Sequence, residues 1–491
     1  MKVKVKRFDW LAGKPVVVLN EKTAKKMNVF VDDRIQIISG KKRVYSVIDI
    51  FSKLVKAGEA GVSNELAKVL GLKNGSWIEV NSSEMSDASF LIKKKIAGEI
   101  LTGKELEHLV AEIVNNNLTS AEIAFFTAAQ KLNGMNDKET VDLTKAMVKT
   151  GAKLKFKGKY IADKHCIGGI AGNRTTPIVV SICASLGLTI PKTSSRAITS
   201  ASGTADVIET ISNVELPLNK IKNVVSKTGG CLAWGGSLGL APSDDKIIQV
   251  ERLLGLDIEP QLLASIMSKK LSAGSKYILI DIPYGKDGKM DSLAKAKRLG
   301  KKFEMMGRAF KVKIKVVYTD GTQPVGNGYG PVLEMKDVLS VLQNKGPKDL
   351  EEKSLFLANE LVKLCGIRNS GKKVLEVLKS GKAYEKFKEI INEQNGENNF
   401  DERVKKLKVA KFKKNIRATR NGKIKSISNH GINSLCRILG TPETIGSGVY
   451  LYKHLENVKK GEFLLTMYSE SKNKIRDAAK FYKAFKPIKF S

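Results

Sequence analysis

The chain has 491 residues, 42% of them hydrophobic, and a formal net charge of +35. That length exceeds one ordinary domain, and the apolar share is enough for several cores, which excludes a disordered polymer. The basic residues run along the whole chain with no zinc-finger spacing and no aromatic RNA-binding motif. They are therefore read as solvated lysine-rich faces and not as a nucleic-acid surface, and no run of about 18 apolar residues marks a membrane span.

Residues 1–85 read as a small β-rich unit. Lys2 to Lys6 alternate with period two, and Val16–Leu19, Ile35–Ile38 and Trp77–Val80 are further strand candidates, with a short helix near Asn64 to Leu70. From residue 86 the apolar spacing becomes helical. Thr102 with Glu105 and Thr119 with Glu122 form capping boxes, and Asn136 with Glu139 forms a weaker third. Beyond Lys159 strand and helix alternate: strand Tyr160–Ala162, helix Thr175–Leu186, strand Thr189–Pro191, a helix after Thr204, then strands Tyr277–Ile282 and Val312–Tyr318. Such alternation predicts an α/β domain with a mainly parallel sheet. The polar stretch Asn392–Asn399 is expected to be a linker or an exposed loop, and Ile416–Ile427 and Gly448–Tyr452 are strands of a last β-rich unit.

The expected domains are 1–85, then a helical domain over 86–158 with a later contribution near 240–273, an α/β domain over 159–407, and a C-terminal unit over 408–491. Cys166, Cys183, Cys231, Cys365 and Cys436 form no CxxC pair. They are expected to be reduced thiols in a cytoplasmic protein.

Three segments carry chemistry. Asp163 to Thr176 is a glycine-rich turn from a strand into a helix, with Lys164 as cation and Thr175 and Thr176 as hydroxyl donors. Backbone N–H groups at such a turn make an anion cradle, but no Gly-Lys-Ser/Thr closes it as a Walker loop would be closed. Pro191 to Asp206 is dense in hydroxyls and small residues around Arg196. Guanidinium plus hydroxyls suits phosphate. Gly255 to Lys270 places Asp257 between Leu256 and Ile258 and ahead of Pro260. Partial burial would raise its pKa and let it hold a proton near neutrality, while its position also suits a helix N-cap. Two further loops, Asp281–Lys289 and Asp320–Gly330, are rich in glycine, and the first also in lysine. They fit the strand ends where α/β ligands collect.

Together the motifs resemble the thymidine and pyrimidine-nucleoside phosphorylase family. They are Lys164-His165 with Gly168-Gly169, Ser194-Ser195-Arg196 with Gly203-Thr204, Ala264-Ser265 with Ser268-Lys269-Lys270, and Asp320 to Gly328. The extra N-terminal unit, Thr193 to Ser200 and Gly274 to Pro283 are closer to its archaeal AMP phosphorylase branch. Val250 stands where nucleoside enzymes usually carry a base-binding arginine.

The resemblance implies phosphorolysis of AMP to adenine and ribose 1,5-bisphosphate, in a cleft between a helical and an α/β domain, without magnesium or any other cofactor. Thymidine phosphorolysis is the alternative. Inorganic phosphate would be the co-substrate, with Lys164, Ser194 and Thr204 holding it. Gly169, Ser195, Arg196, Ala197, Ile198, Thr199, Ser200, Thr204, Ser265 and Lys289 would bind AMP, and Asp257 would be the proton donor. A homo-oligomer built in part through residues 1–85 is also implied. Cys166 departs from the usual serine, and a thiol donates more weakly than a hydroxyl.

Overall fold

The computed structural model describes residues 1–82, 86–197 and 200–491. They gather into two units, residues 1–150 with 241–265 and residues 151–240 with 266–491.

The first unit opens with a closed barrel of strands Lys2–Arg7, Val16–Asn20, Arg34–Ser39, Lys42–Phe51, Glu59–Val62 and Trp77–Ser82. In chain order they neighbour as first, fifth, second, fourth, third, sixth, and antiparallel pairing of the first with the sixth completes the ring. Period-two side chains such as Val3, Val5, Ile35 and Ile37 fill the interior. The helix Asn64–Leu70 forms where its spacing predicts, capped by the Ser63 hydroxyl. A second short helix, Glu21–Met27, was not anticipated. Its sequence is mostly polar, and its start is fixed by the Asn20 side chain accepting from Lys22 N–H.

Four helices follow: Asp87–Ile96, Gly103–Val114, Ser120–Asn133 and Asp137–Thr150. Thr102–Glu105 and Thr119–Glu122 close reciprocally as capping boxes, and Asn136 and Glu139 exchange the same pair of bonds at 2.8 and 2.9 Å. Leu106, Leu109, Phe126, Leu143 and Met147 build their core, joined by Ile247, Val250 and Ala264 from the later segment.

In the second unit, strands Ala162–Cys166, Tyr277–Tyr284 and Lys313–Asp320 pair in parallel. Strands Ile190–Ser194 and Gly230–Trp234 form a parallel pair of their own, linked to the first group by a bridge between Ile161 and Thr189. The first strand lies two to four residues later than its apolar pattern suggests, because Asp163 and Lys164 are buried within it despite their charge. Asp163 lies between Lys192 at 3.3 Å and Lys270 at 2.8 Å, all three inaccessible. Pairing of this kind lets charge occupy a sheet interior. Burial holds the Lys270 ammonium below its ordinary pKa, against the pull of Asp163.

Asn392–Asn399 is an exposed loop only at residues 396–398. The helix Lys382–Asn395 runs into it, and its amides are consumed internally. Gln394 accepts from Leu232 N–H at 2.7 Å, and Asn392 accepts from Phe400 N–H at 3.0 Å. The last region carries two antiparallel sheets and the helices Asn429–Leu439 and Lys472–Phe485. Its core takes in Ala171, Ala201 and Tyr329, which belong to the glycine-rich and hydroxyl-rich loops. No helix among the described residues is long and apolar enough to cross a membrane.

Candidate active site

The glycine-rich turn leaves the C-terminal end of strand Ala162–Cys166 and enters helix Thr175–Ser185. Gly169 and Gly172 are required by close approach as well as by positive φ. A Cβ on Gly172 would lie 2.1 Å from the Val325 carbonyl oxygen, and one on Gly169 would lie 3.0 Å from Lys289 N. The turn therefore seats against both other glycine loops, and Gly169 meets the backbone of Lys289, whose own side chain is exposed.

Lys164 is 1% exposed, and its ammonium donates to Thr175 Oγ1 at 2.8 Å. Burial lowers its pKa, with Cys166 and Asp281 opposing. The Cys166 thiol receives a hydrogen bond from the Asn173 amide at 3.3 Å. Desolvation, helped by Asp281, pushes that thiol up to about 11. It is neutral at physiological pH and brings no negative charge to the turn. The His165 imidazole is held well below its ordinary value by burial and then by Lys270, so it too is neutral.

Arg174 was not anticipated. It precedes helix Thr175–Ser185 and is buried, paired with Glu334. Its remaining nitrogens donate to Thr204 Oγ1 at 3.1 Å and to the Ser202 carbonyl at 2.6 Å. This one guanidinium ties the glycine turn to the hydroxyl loop. Glu334 lies 160 residues away, and no local pattern announces the pair.

The hydroxyl loop follows strand Ile190–Ser194. Asp206 organises it: one carboxylate oxygen accepts from Ala197 N–H at 2.8 Å and from Gly203 N–H at 2.7 Å. A Cβ on Gly203 would sit 2.4 Å from the Ser195 carbonyl oxygen. That contact explains why the Ser-Ser-Arg and Gly-Thr motifs travel together. The Ser194 hydroxyl is buried without a protein partner, Ser195 is exposed, and Ser200 donates to the Ser202 carbonyl at 2.8 Å. Ile198 and Thr199 lie outside the described residues. Arg196 does not project as an uncommitted cation. It pairs with Glu209, with Glu215 at 3.1 Å and with Asp206 at 3.4 Å, and stacks 4.7 Å from the Trp234 ring centre. These acids, Glu209 first, raise its pKa.

Asp257 and Ser265 belong to the first unit. Asp257 is exposed, so the partial burial expected from its apolar neighbours is absent. Helix Glu259–Ser272 begins two residues later. Ile258 is the neighbour that turns inward. The Asp257 carbonyl accepts from Lys131 Nζ at 3.3 Å. Ser265 donates to Asp244 Oδ2 at 2.7 Å, and Gln261 donates to Oδ1 at 3.1 Å. Asp244 is fully buried and was not singled out from sequence. Val250 is buried in the helical core.

Among the described residues no cluster of three or more histidine, cysteine or acidic side chains could hold a metal ion. In the second unit the glycine turn, with Lys164 and Thr175, meets the loop of Lys289 through Gly169 and the loop of Ser195 and Thr204 through Arg174. Such a set can hold anions by hydroxyls, backbone N–H groups and buried cations.

Residues 90–151 match the helical bundle domain of the glycosyl transferase family, and residues 158–286 match its a/b domain. The chain is 40% identical to the AMP phosphorylase of Pyrococcus furiosus over 100% of its own length and 98% of that protein. The AMP phosphorylase of Thermococcus kodakarensis gives the same figures. AMP phosphorylase 1 of Archaeoglobus fulgidus is 38% identical over 99% of this chain and 96% of its own. The crystal structure of anthranilate phosphoribosyltransferase from Thermus thermophilus superposes with a TM-score of 0.52 at 17% identity, covering 63% of this chain and 99% of that one. That likeness concerns the fold alone.

Proposed function

Because the chain belongs to the AMP phosphorylase family, we propose that it cleaves AMP with inorganic phosphate to give adenine and ribose 1,5-bisphosphate. One observation carries the proposal: Arg174 joins two loops of anion-binding chemistry side by side. The reaction brings two anions to one sugar, and two adjoining loops supply a place for each.

The steps follow from this. A phosphate oxygen bonds to C1′ as the C1′–N bond breaks. The electron pair leaves with the base, which takes a proton from Asp257; the role comes from the family resemblance and requires bound substrate to cover a carboxyl that is exposed here. Protonation makes adenine a better leaving group. Lys164, Ser194 and Thr204 hold the attacking phosphate, and Thr175 fixes the Lys164 ammonium. Gly169, Ser195 to Ser200, Thr204, Ser265 and Lys289 hold AMP, Arg196 by bracing the loop through its acids and not through its own charge. Preorganised donors of this kind lower the barrier because they need no rearrangement as charge develops. Phosphate is the only co-substrate, and no cofactor takes part. The neutral Cys166 thiol is compatible with a nearby dianion. Residues 1–85 serve assembly in a cytoplasmic homo-oligomer.

The test is release of free base. With AMP, adenine should appear only when phosphate is present, across roughly pH 6 to 9. Adenosine leaves phosphate-binding donors unpaired, so AMP should exceed it by at least ~10²-fold in kcat/KM. Equal turnover of adenosine, or base release without phosphate, would overturn the assignment.

A further inference from the structure

The C-terminal region supplies no residue to the steps above, yet it reaches both anion loops. Helix Asn429–Leu439 starts at Ser428, whose hydroxyl accepts from Gly431 N–H at 3.1 Å. Asn429 and Asn433 are four apart on it and share one face. Both are buried, Asn429 completely. Asn429 accepts from Ala171 N–H at 3.0 Å with its amide oxygen, and its amide nitrogen donates to the Gly321 carbonyl at 3.1 Å. Asn433 accepts from Ala201 N–H at 2.9 Å. Each side chain thus fixes one peptide of one loop: Ala171 in the glycine turn, Ala201 in the hydroxyl loop. One turn further on, Cys436 contacts the Tyr329 carbonyl at 3.5 Å, and the Tyr329 ring is what a Cβ on Gly172 would strike.

Apolar side chains would suit this core, which is built mostly of leucine, isoleucine and valine. Buried amides are expensive there unless each polar atom is used. Their use is to hold loop peptides that have no regular-structure partner.

We infer that Asn429 and Asn433 are positioning residues, one for each anion. Asn429 sets the turn beside Lys164, the cation assigned to inorganic phosphate, and Asn433 sets the loop that supplies most of the contacts assigned to the nucleotide. The assignment rests on the proposed division of labour between the loops. It deepens that division by placing its control on a single helix face outside the family-matched segments.

The two variants should behave as mirror images. In the full-length protein, Asn429→Ala should raise the KM for phosphate by about tenfold or more and spare that for AMP, and Asn433→Ala should do the reverse; small displacements of binding groups have effects of this order. A residue that only supports the fold would lower the active fraction or kcat and leave both KM values alone. Parallel changes in both KM values, or none, overturn the inference. Hydrogen exchange on the wild-type protein gives a readout independent of catalysis and of variant folding. Inorganic phosphate should slow exchange at Ala171 N–H and AMP at Ala201 N–H. Failure of either ligand to protect its own amide overturns the positioning role, whereas protection without base release would overturn the proposed reaction alone.

Discussion

The glycine turn and the hydroxyl loop have similar signatures in the sequence: small residues, hydroxyls and a cation that stands out in each, Lys164 and Arg196. The structure treats the two cations in opposite ways. Lys164 is buried and partnered by a neutral hydroxyl, so its charge is available to an anion. Arg196 is one-third exposed and already committed to three carboxylates and a ring. In the first loop the cation is the one we propose for a ligand, and in the second it braces the loop. The hydroxyl loop takes its cationic contact instead from Arg174, a residue of the other segment. A cation's identity in a motif therefore says less than the number of acids its fold brings to it.

Four substitutions test that contrast. Asp257→Asn sets the baseline, because it removes the proposed acid and leaves both anion loops intact. We expect a loss of ~10²–10⁴ in kcat with both KM values nearly unchanged. Retained activity would remove Asp257 from the mechanism and leave the loops without a proton donor.

Lys164→Met should come next, with a fall of ~10²–10³ in kcat/KM for phosphate, the scale set by loss of one preorganised donor. Stability should move the other way. Burial depresses the Lys164 pKa from 10.5, so the unfolded chain binds that proton more tightly. Wild-type stability then rises with pH between the lowered value and 10.5. Lys164→Met escapes the cost of a buried ammonium. Its melting temperature should match or exceed wild type at pH 7, and the gap should narrow towards pH 10. A strongly destabilised variant at pH 7 would mean that Lys164 holds the turn as Arg196 holds its loop.

Gly203→Ala tests the hydroxyl loop through its packing. The backbone there has φ −88°, which any residue adopts, but the added carbon meets the Ser195 carbonyl oxygen at 2.4 Å. Overpacking of this kind costs about 1–3 kcal/mol. The KM for AMP should rise more than that for phosphate.

Arg196→Gln should have the smallest effect. Its ion pairs are partly exposed, and such pairs contribute about 1 kcal/mol or less. The corresponding change in kcat/KM for AMP is no more than about fivefold. A hundredfold loss confined to AMP, with adenosine spared, would show that the guanidinium leaves its acids for the nucleotide phosphate. That outcome would erase the contrast.

What could be read in the sequence had local causes. The capping boxes at Thr102 and Thr119, the helix Asn64–Leu70 and the parallel strands after Lys159 all follow from contacts within a few residues. The glycine turn was legible for the same reason. The buried strand containing Asp163 and Lys164 was misplaced because polarity there is paid for by partners far along the chain, at Lys270 and Asp281. Arg174–Glu334, Asp244, Asn429 and Asn433 were missed because each acts on a segment that only the fold brings near, in the case of Asn429 across 258 residues. Asp257 was given a burial that its apolar neighbours keep for themselves.

The closed N-terminal barrel has a consequence for assembly. Every strand has two neighbours, since Lys2–Arg7 pairs with both Glu59–Val62 and Trp77–Ser82. No row of free backbone donors and acceptors is left along an edge. Copies of this chain joined through residues 1–85 cannot extend one another's sheets. They must meet through side chains, and Phe30, Val31 and Trp77 are exposed there. Contacts made that way would be set by surface shape, so a single substitution at Phe30, Val31 or Trp77 would alter them and leave the barrel beneath intact.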